Sequence, residues 1–190
     1  MSHLTQTGLA RGIIALSATL TAWGGIILID GIDPVTLRTH GMVDWIGHLL
    51  TALIIAMGLW ALRLPIPIWS VLVGGVVLDL GHLLTFSGLA EPIAGSSRNG
   101  SHSLIVVVGI ALIGFIDRKH ANIWLGVAIG ALTHLLRDMG TGTVPLLWPM
   151  LDAVWGVSFR RHLFLILGVG IAMIGSGMLL DVYARATRPD

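Results

Sequence analysis

Six long apolar stretches alternate with short polar segments along the chain. Each approaches the length of about 20 mostly apolar residues that a helix needs to cross the hydrocarbon core of a bilayer. Charged residues, prolines and turn-like sequences such as GIDP mark their ends. The pattern predicts an all-α integral membrane protein with about six transmembrane helices, at residues 11–29, 42–62, 66–86, 102–116, 122–137 and 162–180.

The segment between the fifth and sixth stretches, GTGTVPLLWPMLDAVWGVSFRR, contains two prolines. Proline lacks a backbone N–H and disrupts the preceding helical turn, which makes a straight transmembrane helix unfavourable there. We expect a short helix or a re-entrant segment at the membrane edge. Trp148 and Trp155 are expected at the membrane–water interface. Nothing indicates a soluble domain, so residues 1–190 are predicted to form a single transmembrane domain.

Composition supports a membrane protein and narrows the chemistry. The chain of 190 residues is 55% hydrophobic and 11% charged, whereas a soluble domain carries about 25% charged residues. Its mean hydropathy is +0.89. The absence of cysteine excludes disulfides and thiolate metal sites. A net charge of +1 gives no indication of a nucleic-acid partner.

The basic residues predict an orientation. With six spans, both termini share one side of the membrane with Arg11, Arg63, Arg118, Lys119, Arg185 and Arg188. The opposite side would hold Arg38, Arg98, Arg137, Arg160 and Arg161. The positive-inside rule then favours a cytoplasmic N-terminus.

Histidines recur inside the apolar stretches. GHLLT occurs at 47–51 and again at 81–85, and THLLR occurs at 133–137. Three groups have i,i+3 or i,i+4 spacing, which places their members on one helix face: His40, Asp44 and His48; Asp79 and His82; His134 and Asp138. In an up-and-down bundle, the starts of even helices and the ends of odd helices lie in the same leaflet. These groups and His102 are therefore expected to converge.

Convergent imidazoles and carboxylates predict a metal site. One intramembrane histidine could be a packing residue, but three His/Asp groups on one side are harder to explain by packing. Nitrogen and oxygen ligands suit zinc, manganese or iron, and zinc is favoured. The ligands expected are His48, Asp79, His82, His102, His134 and Asp138. Six ligands exceed the four that one zinc takes, which favours two or more ions that would activate water.

Three segments carry a resemblance to a known family. They are VVLDLGH at 76–82, RNGSHSL at 98–104 and GALTHLLRDMGTGTVPLLWP at 130–149, all following the early helical His48. In this order they resemble the bacterial and archaeal membrane-bound metal-dependent hydrolases, the LexA-binding inner-membrane-associated hydrolase family. That family is distantly similar to the zinc phospholipase C and P1 nuclease group. Relatives often have a Pro-Asp-x-Asp-His segment where this chain has LDLGH, so one acidic residue of the third helix is missing.

The resemblance implies a metal-dependent hydrolase of a bacterial or archaeal cytoplasmic membrane, with the same six ligands. Our leading hypothesis is hydrolysis of a lipid-linked phosphoester in one leaflet, facing outward. Four arginines on that side are candidates for binding phosphate, or ordinary interfacial arginines: Arg98, Arg137, Arg160 and Arg161. Asp44 is a candidate catalytic residue that would orient water, or a further ligand.

Three alternatives remain open from the sequence. The same metal chemistry would cleave a lipid ester or amide. A haem-binding protein would use histidines as axial ligands, although three neighbouring aspartates argue against haem. A proton-coupled transporter would use Asp/His relays along a path, whereas these groups cluster near one surface. The sequence leaves His40 and His162 unassigned, and His3 and His120 are expected to be solvated.

Overall fold

A computed structural model describes residues 3–30, 37–82, 88, 98–151 and 153–187. Six α-helices occupy these ranges: α1 (His3–Asp30), α2 (Leu37–Ala61), α3 (Ile68–Val77), α4 (Leu104–Ile116), α5 (Ala121–Thr141) and α6 (Phe159–Ala186). A 3₁₀ turn, Arg118–His120, joins α4 to α5. The described residues form no β-strand, only an isolated bridge between Val144 and Trp155. The all-α class is therefore confirmed.

Three of the helices are long and apolar enough to cross a membrane, over Gly8–Ile29, Val43–Ala61 and Phe159–Ala186. The apolar segment Ile68–His82, which contains α3 and the turns that follow it, and α4 (Leu104–Ile116) are shorter than such a span. α5 has 21 residues, but its polar His134, Arg137 and Asp138 make it less apolar. Large side chains such as Phe115 and Leu179 are more than two-thirds exposed, as lipid-facing residues would be. The chain therefore has the features of a membrane protein with three clear candidate spans.

α2 and α5 lie at the centre of the helix packing. α2 contacts α1, α3, α5 and α6, and α5 contacts α2, α3, α4 and α6. Glycines let α3 and α5 approach at backbone distance. A Cβ on Gly130 would lie 2.8 Å from the Gly74 Cα, and one on Gly74 would lie 2.9 Å from the Ala131 backbone nitrogen. Small residues permit this kind of close helix contact.

The loop between α5 and α6 does not form the short helix that was one of the two alternatives expected for it, the other being a re-entrant segment. Residues 142–151 and 153–158 contain turns and the Val144–Trp155 bridge but no helix. The loop is held by hydrogen bonds from the Leu104 N–H to the Leu146 carbonyl (2.9 Å) and from the Val157 N–H to the Met139 carbonyl (2.7 Å). Proline prevents some backbone groups of this segment from forming helical hydrogen bonds, and the turns of the loop provide partners for backbone groups instead. It therefore folds back against the start of α4 and the end of α5.

Candidate metal centre

Four consecutive segments bring seven donor side chains together at one end of the bundle. They are Asp44 and His48 in α2, Asp79 and His82 just after α3, His102 just before α4, and His134 and Asp138 in α5. They form overlapping groups of three whose donor atoms lie within 4.8 Å of one another. The convergence expected from alternating helix directions is thus present, although His102 lies two residues before α4 rather than inside it.

The distances between donor atoms suit a metal ion. The Nε2 atom of His134 lies 3.2 Å from Asp138 Oδ2 and 3.5 Å from Asp79 Oδ1. The Nε2 atom of His48 lies 3.4 Å from Asp138 Oδ1, and that of His102 lies 3.5 Å from Asp138 Oδ2. Ligands of a tetrahedral ion with bonds of about 2.0–2.1 Å are separated by about 3.4 Å. The residues present therefore fit a metal without large rearrangement.

Five of the candidate ligand atoms are buried and have no hydrogen-bond partner among the described residues. The side chains of His48, His102, His134 and Asp138 are fully buried, and Asp79 is nearly so. The Nε2 atoms of the three histidines, Asp79 Oδ2 and Asp138 Oδ2 have no hydrogen-bond partner among the described residues. A buried polar atom without a partner costs about 1–3 kcal/mol, and more when charged. Several such atoms facing one another are what a cation site requires.

Backbone and hydroxyl contacts fix two of the imidazoles. The Gly75 carbonyl can only accept, so His134 Nδ1 donates to it (2.9 Å) and Nε2 faces the cluster without a proton in the neutral ring. Ser101 Oγ donates to Asn99 Oδ1 (2.5 Å), which leaves it to accept from His102 Nδ1 (3.0 Å). Asn99 in turn donates to the Gly81 carbonyl (2.7 Å). Both rings therefore present an Nε2 lone pair to the cluster.

The sequence interpretation missed Asn99, Ser101 and Gly75. Asn99 and Ser101 belong to RNGSHS, which was already identified as a motif, and their side-chain hydrogen bonding could have been anticipated from their position beside His102. The Gly75 contact depends on helix packing between residues 59 positions apart. No pattern in a single sequence predicts it.

Arg98 lies across the opening of the cluster. Its Nη2 donates to Asp138 Oδ1 (2.5 Å) and is 3.8 Å from Asp44 Oδ2, and its Nη1 is 3.5 Å from His82 Nε2. Asp44 and His82 are the donors with substantial exposure, 25% and 27%. Burial would lower the pKa of Arg98, but the carboxylates of Asp138, Asp44 and Asp79 raise it above its ordinary value. The opening is thus lined by a charged guanidinium.

The other candidate arginines lie elsewhere. Arg137 is fully buried, with its guanidinium 6.0 Å from the Phe159 ring centre and packed against Gly47. It has no exposed surface from which to meet a headgroup in this arrangement. Arg160 and Arg161 are exposed at the start of α6. The structure therefore brings only Arg98 of the four to the opening.

The remaining histidines and tryptophans are distributed as follows. His120 is exposed and its Nδ1 is 2.9 Å from Asp117 Oδ2. Hydrogen bonds from Trp124 and His120 lower the pKa of Asp117, which lies in the α4–α5 loop. His162 is buried against Gly140, outside the cluster. Trp155 is 46% exposed, and Trp148 packs on Gly100, beside the RNGSHS motif. The side chains of His3 and His40 lie outside those described.

Comparisons with known proteins identify no relative. No family model matches the chain, and neither a curated protein nor a solved structure is significantly similar to it.

Proposed function

We propose that the protein is a membrane-embedded, metal-dependent hydrolase that acts on a lipid-linked phosphoester. The observation that carries this proposal is the largely buried set of histidine and aspartate donors with Arg98 beside its two partly exposed members, Asp44 and His82. Ionisable groups are expensive within a membrane segment and are usually functional. Buried donors without hydrogen bonds suit a cation, and the guanidinium beside them suits an anion.

The residues divide into those that would hold the metal and those that would meet substrate. The metal ligands would be the six histidines and aspartates expected from the sequence: His48, Asp79, His82, His102, His134 and Asp138. A bound divalent ion, with zinc favoured over manganese or iron, would supply an activated water and neutralise charge on the phosphoryl oxygens. Arg98 would hold the phosphate, because its guanidinium forms paired hydrogen bonds to phosphate oxygens.

Lipid is the favoured substrate because of where the opening lies. Asp44 and His48 occupy the first two turns of the candidate span Val43–Ala61. This position corresponds to the headgroup region of a bilayer rather than its centre. A lipid could therefore reach Arg98 sideways with its chains still in the membrane.

The same proposal includes a location. We place the protein in the cytoplasmic membrane of a bacterium or archaeon, with the N-terminus inside and the cluster facing outward. The support is the resemblance of the metal-binding motifs and the distribution of basic residues. A six-span arrangement would put both termini on the cytoplasmic side.

The test is an assay of purified, metal-loaded protein in detergent micelles. Phospholipids and polyprenyl phosphates are supplied, and release of phosphate or headgroup is measured. The variant His134→Ala should lose activity, whereas His120→Ala, exposed in the α4–α5 loop, should retain it. Release of free fatty acid without a phosphorus-containing product would instead identify a lipid esterase or amidase. Activity in His134→Ala equal to that of the native chain would refute the metal assignment.

A further inference from the structure

The two carboxylate oxygens of Asp138 face different partners. Oδ1 accepts from Arg98 Nη2 at 2.5 Å and lies 3.4 Å from His48 Nε2. Oδ2 lies 3.2 Å from His134 Nε2 and 3.5 Å from His102 Nε2. One carboxylate thus serves two separate groups of donors.

These contacts divide the cluster into two sets. The Asp44 set contains Asp44, His48 and Asp138 Oδ1, and His48 Nε2 is 3.6 Å from Asp44 Oδ2. The Asp79 set contains Asp79, His102, His134 and Asp138 Oδ2, with His82 at its exposed edge. His48 also lies near Asp79 and His134. The carboxylates that lie within 4 Å of His48 Nε2, however, are those of Asp138 and Asp44.

Each set has enough donors for one ion. The Asp79 set offers four buried donors, the number that zinc takes in a closed site, and the Asp44 set offers three, which leaves a position open. Binuclear hydrolytic centres hold their ions about 3.5–4 Å apart. A carboxylate that gives one oxygen to each ion produces a short separation of this kind.

Arg98 makes the two sets unequal. Its Nη2 is bonded to the same Asp138 oxygen that the Asp44 set would present to an ion, and it is 3.8 Å from Asp44. An ion in the Asp44 set would therefore share its ligands with a positive charge. Arg98 also interacts with the Asp79 set, through His82 Nε2 at 3.5 Å and through the charge of Asp79, but its 2.5 Å hydrogen bond is to the Asp138 oxygen of the Asp44 set.

We propose that the cluster binds two ions bridged by Asp138, and that Arg98 makes the ion in the Asp44 set the weaker of the two. This inference rests on the proposed function for its metal, and it assigns Asp44 to the ligands rather than to water alone. It also gives Arg98 a second action. A phosphoryl group that binds the guanidinium and moves it away from Asp138 would strengthen binding of the ion in the Asp44 set, because that ion would no longer share the Asp138 oxygen with a positive charge.

The experiment measures metal binding without substrate. Protein is stripped with chelator in detergent, and bound ions are counted by elemental analysis after equilibration with Zn²⁺ and by electron paramagnetic resonance during titration with Mn²⁺. The native chain should bind two ions of unequal affinity, and the second Mn²⁺ should produce an exchange-coupled signal. Asp44→Asn should bind one ion with no coupled signal, whereas Asp117→Asn, at an exposed loop, should behave as the native chain does.

Arg98→Gln tests the inequality separately. Removing the positive charge should tighten the weaker ion by about tenfold, since the two charges would lie within a few ångströms in a partly buried site. The stronger ion should tighten by a smaller factor, and the matched control Arg118→Gln should change neither. Unchanged affinities in Arg98→Gln would overturn the role of Arg98.

The remaining outcomes separate this inference from the proposed function. One ion in the native chain, or two ions without a coupled signal, would overturn the bridge while leaving a metal-dependent hydrolase possible. Two coupled ions in a protein that releases nothing from any lipid would refute the hydrolase and support the bridge. Binding of neither Zn²⁺ nor Mn²⁺ would overturn both.

Discussion

Replacing Gly130 by alanine should damage the metal centre from a distance. Gly130 lies in α5, facing α3. A Cβ there would lie 2.8 Å from Gly74 Cα and 2.8 Å from the Gly75 backbone nitrogen, and nearer still to the Val71 carbonyl oxygen. Ordinary contacts between carbon atoms are about 3.5–4.0 Å. The two helices would therefore have to separate by roughly 0.7 Å or more, because these contacts are with backbone, which cannot rotate away.

Moving α3 away from α5 would also move the metal-ligand candidates on the two segments away from each other. His134 follows Gly130 by one turn of α5, and its Nδ1 donates to the Gly75 carbonyl on α3. Asp79, one turn beyond Gly75, lies 3.5 Å from His134 Nε2. Metal–ligand distances tolerate only about 0.2 Å. We therefore expect metal affinity to fall by about 10–100-fold, as it does when an outer hydrogen bond to a ligand is lost, and stability to fall by about 1–3 kcal/mol.

The assay pairs Zn²⁺ titration with thermal unfolding of the metal-free protein in detergent. The unfolding transition shows whether Gly130→Ala still folds, and the titration then gives its affinity. The control is Gly109→Ala in α4, where a Cβ would meet nothing within 4 Å. It should keep native affinity, and helix propensity should make it no less stable. A folded Gly130→Ala with native metal affinity would refute the link between helix separation and the site.

Three further predictions test other parts of the structure. Ser101→Ala should weaken metal binding by about tenfold or more without unfolding the protein, since His102 loses the hydroxyl that orients it; native affinity in a Zn²⁺ titration would contradict this. Chelator should lower the melting temperature measured by circular dichroism, because an ion bound only by the folded state stabilises it by about 2.7 kcal/mol at 100 times its Kd; an unchanged melting temperature would argue against a bound ion. Lys119→Cys should not react with an impermeant thiol reagent added to intact cells, and labelling from outside would reverse the proposed orientation.

The sequence predicted the convergence of the donors for a reason that does not depend on packing detail. In an up-and-down bundle successive spans alternate in direction, so His48, early in the predicted second span, and His134, late in the predicted fifth span, are expected at the same end. The i,i+4 spacing of His134 and Asp138 then places both on one face. The alternation of direction and the helical spacing were sufficient to predict that these donors converge.

The parts that the sequence did not predict depend on contacts between distant segments. Arg137 was expected near a headgroup, but it is buried because Gly47 lacks a side chain where the guanidinium packs. α3 is regular only to Val77, and i to i+3 hydrogen bonds tighten the chain from there to His82. Residues 83–86 of the expected third span lie outside the described residues. An apolar stretch shows that a helix can form, but not where tertiary contacts tighten or end it.

The order of the donors along the chain has a consequence for biosynthesis. The donor segments follow one another from α2 to α5, and α6 contributes none. A nascent chain emerges N-terminus first, so His48 and His102 leave the ribosome before Asp138, the carboxylate that both contact. The proposed ligand set is therefore complete only after α5 has been synthesised. Ribosome-bound chains stalled after α4 would hold histidines and Asp79 at the translocon without their shared partner, and we expect these intermediates to depend most on insertase or chaperone protection.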